Sequence, residues 1–185
     1  MNSILLSTHP KHIISKINGL KKMEIRKTKP KELPFKVYEY CTASGNDKLK
    51  NQLVRMEDTG EWKLCSATDL SKYRVNGKVV LEYVVDSVSK FDIAGLEFYV
   101  MKDHLLNLSA LTETELRNYI GNGIGYAWHI SDLKVYDEPL ELGEFGTFCK
   151  EFHKCEDIAC YKDTCEQGFI PLSRPPQSWQ YVRRR

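Results

Sequence analysis

Residues 19 to 27 read GLKKMEIRK, a short stretch crowded with groups that can do chemistry. Read as a strand, it turns Met23 and Ile25 to one face and Lys22, Glu24 and Arg26 to the other, with Lys21 at the turn leading in. Arg26 can fork onto a phosphate or a base edge. Glu24 can hold Lys21 or Arg26 in place, or accept from an exocyclic amine. Lys21, if stripped of water, can lose its proton and act as a nucleophile or base. The plain alternative is a salt bridge across a solvated strand face, worth ~0–1 kcal/mol.

A second group of reactive side chains lies in FCKEFHKCEDIACYKDTC: Cys149, Cys155, Cys160 and Cys165, with His153 between the first two. Four thiolates suit tetrahedral zinc, so structural zinc is the expectation for these cysteines. The C-x5-C-x4-C-x4-C spacing has no C-x-x-C knuckle, which leaves an iron–sulfur cluster and metal-free thiols as alternatives. A closed site of four protein ligands leaves no position for a catalytic water. Cys41 and Cys65 read as core or surface thiols.

The elements that must position these groups can be traced along the chain. SILLST (3–8) predicts a short buried strand, and Pro10 suits the first turn of a helix over 9–18 that Asn18-Gly19 closes. FKVYEYCT (35–42) alternates as a strand should, and residues 43–60 read as a polar loop. The valine-rich run 77–91 predicts a long strand with a bend at Asp86. In ALTETELRNYIG (110–121), Thr112 and Glu115 form a capping box at a helix start. Strands are expected over 126–130 and 133–137. The glycine run GNGIG follows a helix instead of opening one, which rejects a dinucleotide fingerprint. After Pro139 the texture changes, so residues 1–142 read as one domain and 143–185 as a cysteine-rich extension. In that extension Pro175-Pro176 forces an extended chain, and Trp179 and Tyr181 are expected to pin it back.

Several short strands with flanking helices predict an α+β, mainly β fold, a small barrel decorated by two or more helices. Gly19, Lys21, Glu24 and Arg26 match the G-x-K-x-x-E-x-R signature of ASCH domains, which the sequence resembles over roughly residues 3–140. The strand and helix of ILLSTHPKHIISKING, the valine-rich strand and IGYAWHISDLKVYDEP carry the same likeness. The resemblance implies a PUA-like β-barrel and a role linked to RNA or a modified nucleoside or nucleotide. Some small bacterial members are amidohydrolases that remove the acetyl group of N4-acetylcytidine. Their lysine matches Lys21, whereas Glu24 stands where they carry threonine. As an enzyme, the chain would therefore use Lys21 and Glu24 as its catalytic pair. A protein-interaction adaptor is a further reading.

Other residues are candidates for the same cleft. Trp128 and His129 lie on opposite faces of a predicted strand, and one can stack on a base. Ser7 and Thr8 lie where the first strand meets the helix, whose exposed amides can take an anion. The 185-residue chain carries a net charge of only +2, so nucleic-acid binding needs a local basic patch. No stretch approaches the ~20 apolar residues of a membrane span, and a cytoplasmic protein is expected.

Overall fold

The computed structural model describes residues 1–43, 52–65, 74–148 and 168–185. Strand β1 (Asn2–Thr8) carries Ile4, Leu5 and Leu6, all fully buried. Helix α1 (Pro10–Ile17) follows, with Pro10 in its first turn and Pro10, Ile13 and Lys16 on its buried side. Strand β2 (Met23–Arg26) is buried on both faces, and β3 (Phe35–Cys41) is almost wholly inside. The hairpin β4 (Gln52–Arg55) and β5 (Trp62–Cys65) forms a separate two-stranded sheet. Strand β4 occupies part of the stretch read from sequence as a loop. Leu53 and Val54 fill the core there, which a mostly polar local composition conceals.

Strand β6 (Val79–Asp92) is long, and its register on its neighbour shifts between Val85 and Val88, where Asp86 predicted a bend. Helix α2 (Leu96–Ser109) is unannounced by periodicity. Its apolar residues lie all round: Phe98 and Leu105 are buried, while Leu96, Tyr99 and Val100 are exposed. Helix α3 (Glu113–Ile120) opens on the expected capping box, Thr112 accepting from the Glu115 amide and Glu115 from the Thr112 amide. Strand β7 (Ile124–Leu140) is one continuous strand where two were predicted. Asp132 interrupts its polar–apolar alternation with φ 49°, so the strand kinks without ending. Gly125 is required in it, because a Cβ there would sit 2.2 Å from the Phe91 ring.

Strands β8 (Phe145–Phe148), β9 (Phe169–Pro171), β10 (Trp179–Tyr181) and β11 (Arg183–Arg184) complete the described chain. The main sheet has the order β10-β1-β3-β6-β7-β2 and curls as a half-barrel; β1 and β3 run parallel, and every other neighbouring pair is antiparallel. Strands β8, β9 and β11 form a third sheet. The chain is thus α+β and mainly β, with three helices among the described residues. The tail reaches the main sheet through Trp179, which faces Leu6 across the β1–β10 pair. The barrel interior gathers Ile4, Leu6, Ile13, Phe35, Val37, Tyr83 and Trp128. A second cluster, Ile25, Phe91, Phe98, Leu105, Leu116 and Ile120, seals α2 and α3 onto the outer face of β2 and β6. No helix among the described residues is long and apolar enough to cross a membrane. The four clustered cysteines, Cys149, Cys155, Cys160 and Cys165, lie outside the described residues.

The capping box fixes the start of α3, the helix that brings Glu115 and Tyr119 to the site described next. Thr112→Ala is expected to lower stability by about 1 kcal/mol, read as an earlier urea midpoint with an unchanged slope.

Candidate functional site

The turn between α1 and β2 sets the geometry. Gly19 adopts φ +70°, a left-handed conformation that glycine reaches without strain. The amides of Leu20 and Lys21 both donate to the Ser15 carbonyl at 2.9 Å, which closes the helix and aims the chain into β2. Lys22 is then tied at both backbone groups, donating to Leu108 at 2.7 Å and accepting from Ile130 at 3.0 Å. Period-two alternation does the rest. Ile25 faces the helical layer, and Glu24 and Arg26 face the barrel interior.

The solvated-strand reading fails on burial. Lys21 is 4% exposed and Glu24 5%. Glu24 is the hub: its Oε2 meets Lys16 at 2.7 Å and Lys21 at 3.7 Å, and its Oε1 meets Arg26 at 3.0 Å. Lys16 also meets Glu39, and both of those side chains are fully buried. Burial by itself would raise the Glu24 carboxyl, but Lys16, Lys21 and Arg26 pull it well below the ordinary carboxylate range. Glu24 is therefore a fixed anion with both oxygens engaged. It lines the cleft as well. Its ion pairs hold the three cations in place.

Lys21 is different. Burial pushes its amine below the ordinary lysine value, Glu24 resists, and Lys16 adds to the fall. Its Nζ donates to the Ser109 carbonyl at 2.9 Å. Arg26 donates through Nη2 to Thr8 Oγ1 at 3.3 Å, and Glu24 holds its guanidinium above the ordinary arginine value against the effect of burial. Its Nε is buried and has no hydrogen-bond partner.

Lys21, Glu24 and Arg26 line a cleft of about 260 Å3 together with Ser7, Thr8, His12, Glu115 and Tyr119. Sequence reasoning placed Ser7, Thr8, Lys21, Glu24 and Arg26 on one site, and the fold brings all five to this cleft. Two of them are committed internally. The Ser7 hydroxyl donates to the Pro176 carbonyl of the tail at 2.6 Å, and Thr8 receives Arg26. The start of α1 offers no free amide either, since His9 takes the Lys11 amide on Nδ1 and the His12 amide on its carbonyl. Trp128 is a correction: it lies fully buried in the barrel core, edge-on to Phe35 at 5.2 Å, because its β7 position faces inward above Glu24. His129 is another: it points outward and pairs with Asp86 at 2.7 Å, away from the cleft.

Sequence reasoning missed Lys16, Glu39, His12 and Tyr119. Lys16 carries a faint signal, a lysine on the apolar stripe of an amphipathic helix. Glu39 carries another, an acid on the inward side of an alternating strand. Burial lowers His12 to about 4, with Lys21 adding to the effect, so its ring is neutral at physiological pH. A larger, shallower hollow of about 820 Å3 near Met1, Tyr38 and Arg184 holds no comparable cluster of buried charge.

No family model and no curated protein sequence matches the chain. Solved structures do. ASCH from Zymomonas mobilis superposes with a TM-score of 0.56 at 16% identity, over 98% of this chain and 88% of that one. A Tyr-to-Phe mutant of the Zymomonas protein gives 0.56 at 14% identity, over 99% and 91%. The fold is that of an ASCH domain. Within this ASCH fold the signature residues occupy one strand and the turn before it, and the likeness runs through the tail strands as well as the half-barrel.

The hub has a consequence for acid stability. A carboxyl held below its ordinary value of 4.5 in the folded state contributes stability that is complete above that value and is lost as pH falls below it. The melting temperature is expected to stay level from pH 7 to 5 and to drop below about 4.5. Glu24→Gln is expected to flatten that acid limb and to cost about 3–5 kcal/mol at pH 7, because it strands Arg26 and leaves Lys16 with Glu39 alone. Calorimetric melting across pH reads both effects.

Proposed function

We propose that this protein binds a nucleoside, free or as one nucleotide of an RNA strand, in the cleft around Lys21, Glu24 and Arg26. The observation that carries the reading is the buried guanidinium of Arg26, whose Nε lacks a partner while its carboxylate is already supplied by Glu24. A buried donor without a partner costs about 1–3 kcal/mol, which a ligand acceptor would recover. A volume near 260 Å3 falls just below the ~300–1,000 Å3 of pockets for drug-sized ligands, which suits a single base better than a duplex. Tyr119, 38% exposed on the wall, offers a ring for stacking. The RNA-linked character of ASCH domains supports the same direction.

The buried, lowered amine of Lys21 favours a second reading, amide hydrolysis on an N4-acetylcytidine-like nucleoside. In that reaction Lys21 is the nucleophile or base, and Glu24 orients it. The exposed Leu96, Tyr99 and Val100 of α2 are what an adaptor reading would rest on. For the extension we retain structural zinc on Cys149, Cys155, Cys160 and Cys165. Elemental analysis of purified protein is expected to find one zinc atom per chain, lost on serine replacement of the cysteines.

Calorimetric titration with cytidine, N4-acetylcytidine and a short single-stranded RNA tests the cleft. Lys21→Ala and Arg26→Lys are each expected to weaken binding at least about tenfold, a loss of ~1.4 kcal/mol, with the fold retained by circular dichroism. RNA affinity is expected to fall as salt rises. Released acetate that disappears in Lys21→Ala would establish the enzyme. Binding that ignores both substitutions would remove the cleft from the account.

A further inference from the structure

Charges buried together are stable when their signs balance, because an uncompensated ion away from water is very costly. The cluster under the cleft does not balance. Lys16, Lys21 and Arg26 supply three cations, while Glu24 and Glu39 supply two carboxylates. At the rim, Lys11 and Glu115 close on each other and contribute nothing net. With every group ionised, one positive charge would be left over among the described residues, and burial relieves it by lowering the Lys21 amine.

The contacts show which groups carry the surplus. Lys16 sits between both carboxylates. Lys21 is the most weakly held, 3.7 Å from Glu24, and leans on the Ser109 carbonyl. Arg26 keeps a buried Nε free. Lys21 and Arg26 are also the two cations that line the cleft, whereas Lys16 does not. The two carboxylates on the same lining, Glu24 and Glu115, are already paired with Arg26 and Lys11, so the surplus faces the ligand side. His12, on the same wall, is held neutral by burial and by Lys21.

Resting on the cleft reading above, we infer that the cleft takes a compact anionic group, a carboxylate or one phosphate, as the counter-ion its own side chains lack, and that this group binds together with a proton. The anion seats against Lys21 and the free Nε of Arg26. The proton comes from solvent and goes to the nitrogen lone pair of Lys21, turning an amine into an ammonium beside the anion. No covalent bond forms or breaks elsewhere. For a nucleotide ligand, the phosphate and not the base would then occupy the charged end of the cleft.

The sign of the pH dependence follows. An anion raises the pKa of a neighbouring amine, so the bound state holds more protons than the free state. Affinity falls as pH rises above Lys21's lowered value for as long as the bound amine stays protonated, by at most about tenfold per pH unit for one linked proton. His12 adds a second window of the same sign between about 4 and 6.5. The remaining titratable groups near the cluster are the imidazole of His9 on the cleft wall and the phenols of Tyr83, held protonated by burial, and Tyr119.

The test is titration calorimetry of the full chain with inorganic phosphate, acetate, cytidine and cytidine 5′-monophosphate, from pH 7 to 10. Each is run in two buffers of different ionisation heat, which counts the protons taken up. The expected result is that the monophosphate outbinds cytidine at least about tenfold, with net proton uptake and with affinity falling as pH rises. Acetate against phosphate tells which anion fits. Lys21→Met, similar in volume and uncharged, is expected to lose the proton uptake. Equal binding of cytidine and its monophosphate without proton uptake overturns the inference and leaves the nucleoside cleft standing. Anion binding with no proton uptake also overturns it. If none of the four binds, both readings fall.

Discussion

A carboxylate withdrawn from water must be met by cations and hydrogen bonds, or the fold that buries it is destabilised by several kcal/mol. Glu24 imposes that constraint here. It is 5% exposed, and three cations from the helix, turn and strand of one contiguous stretch meet it. Helix α1 delivers Lys16, the glycine turn delivers Lys21, and Arg26 follows two residues along the same strand face. Strand β3 adds Glu39, which holds Lys16 from the other side. The half-barrel and its first helix can assemble in this register because the register completes the network.

The same constraint divides the labour within the site. Glu24 and the Lys16–Glu39 pair lie inside the network and hold its cations. Lys21 and Arg26 are the cations presented to the cleft. Their supports are regular elements packed on both sides: α2 and α3 cover the outer face of β2 through Ile25, and the barrel core lies beneath. The tail contributes at a distance, since the Ser178 carbonyl accepts from the Ser7 amide and Pro176 accepts the Ser7 hydroxyl. A polar cleft on such a frame is preorganised, which limits the ordering cost of binding.

Much of the local structure was legible in the residues. Pro10 and Gly19 bracket α1, Thr112 and Glu115 mark the start of α3, and Asp86 coincides with a register shift of β6 on β7. These signals work because caps and turns depend on a few neighbours along the chain. Helix α2 was not legible, since apolar residues on every side erase the 3.6-residue period. Strand β4 was missed for the opposite reason, its short apolar run being flanked by polar residues. Trp128 shows a third limit. Alternation says that it and His129 oppose each other, but it does not say which of them meets the core.

The sequence by itself determined that Lys21, Glu24 and Arg26 would gather near the end of the first helix, because spacing along one turn and one strand fixes their relative directions. Tertiary structure alone decided that Glu24 serves as an internal anchor, that Lys16 and Glu39 stand behind it, and that His12 and Tyr119 join the wall. The reason is physical: burial and charge compensation depend on which distant segments share a volume, and no local pattern encodes that distance.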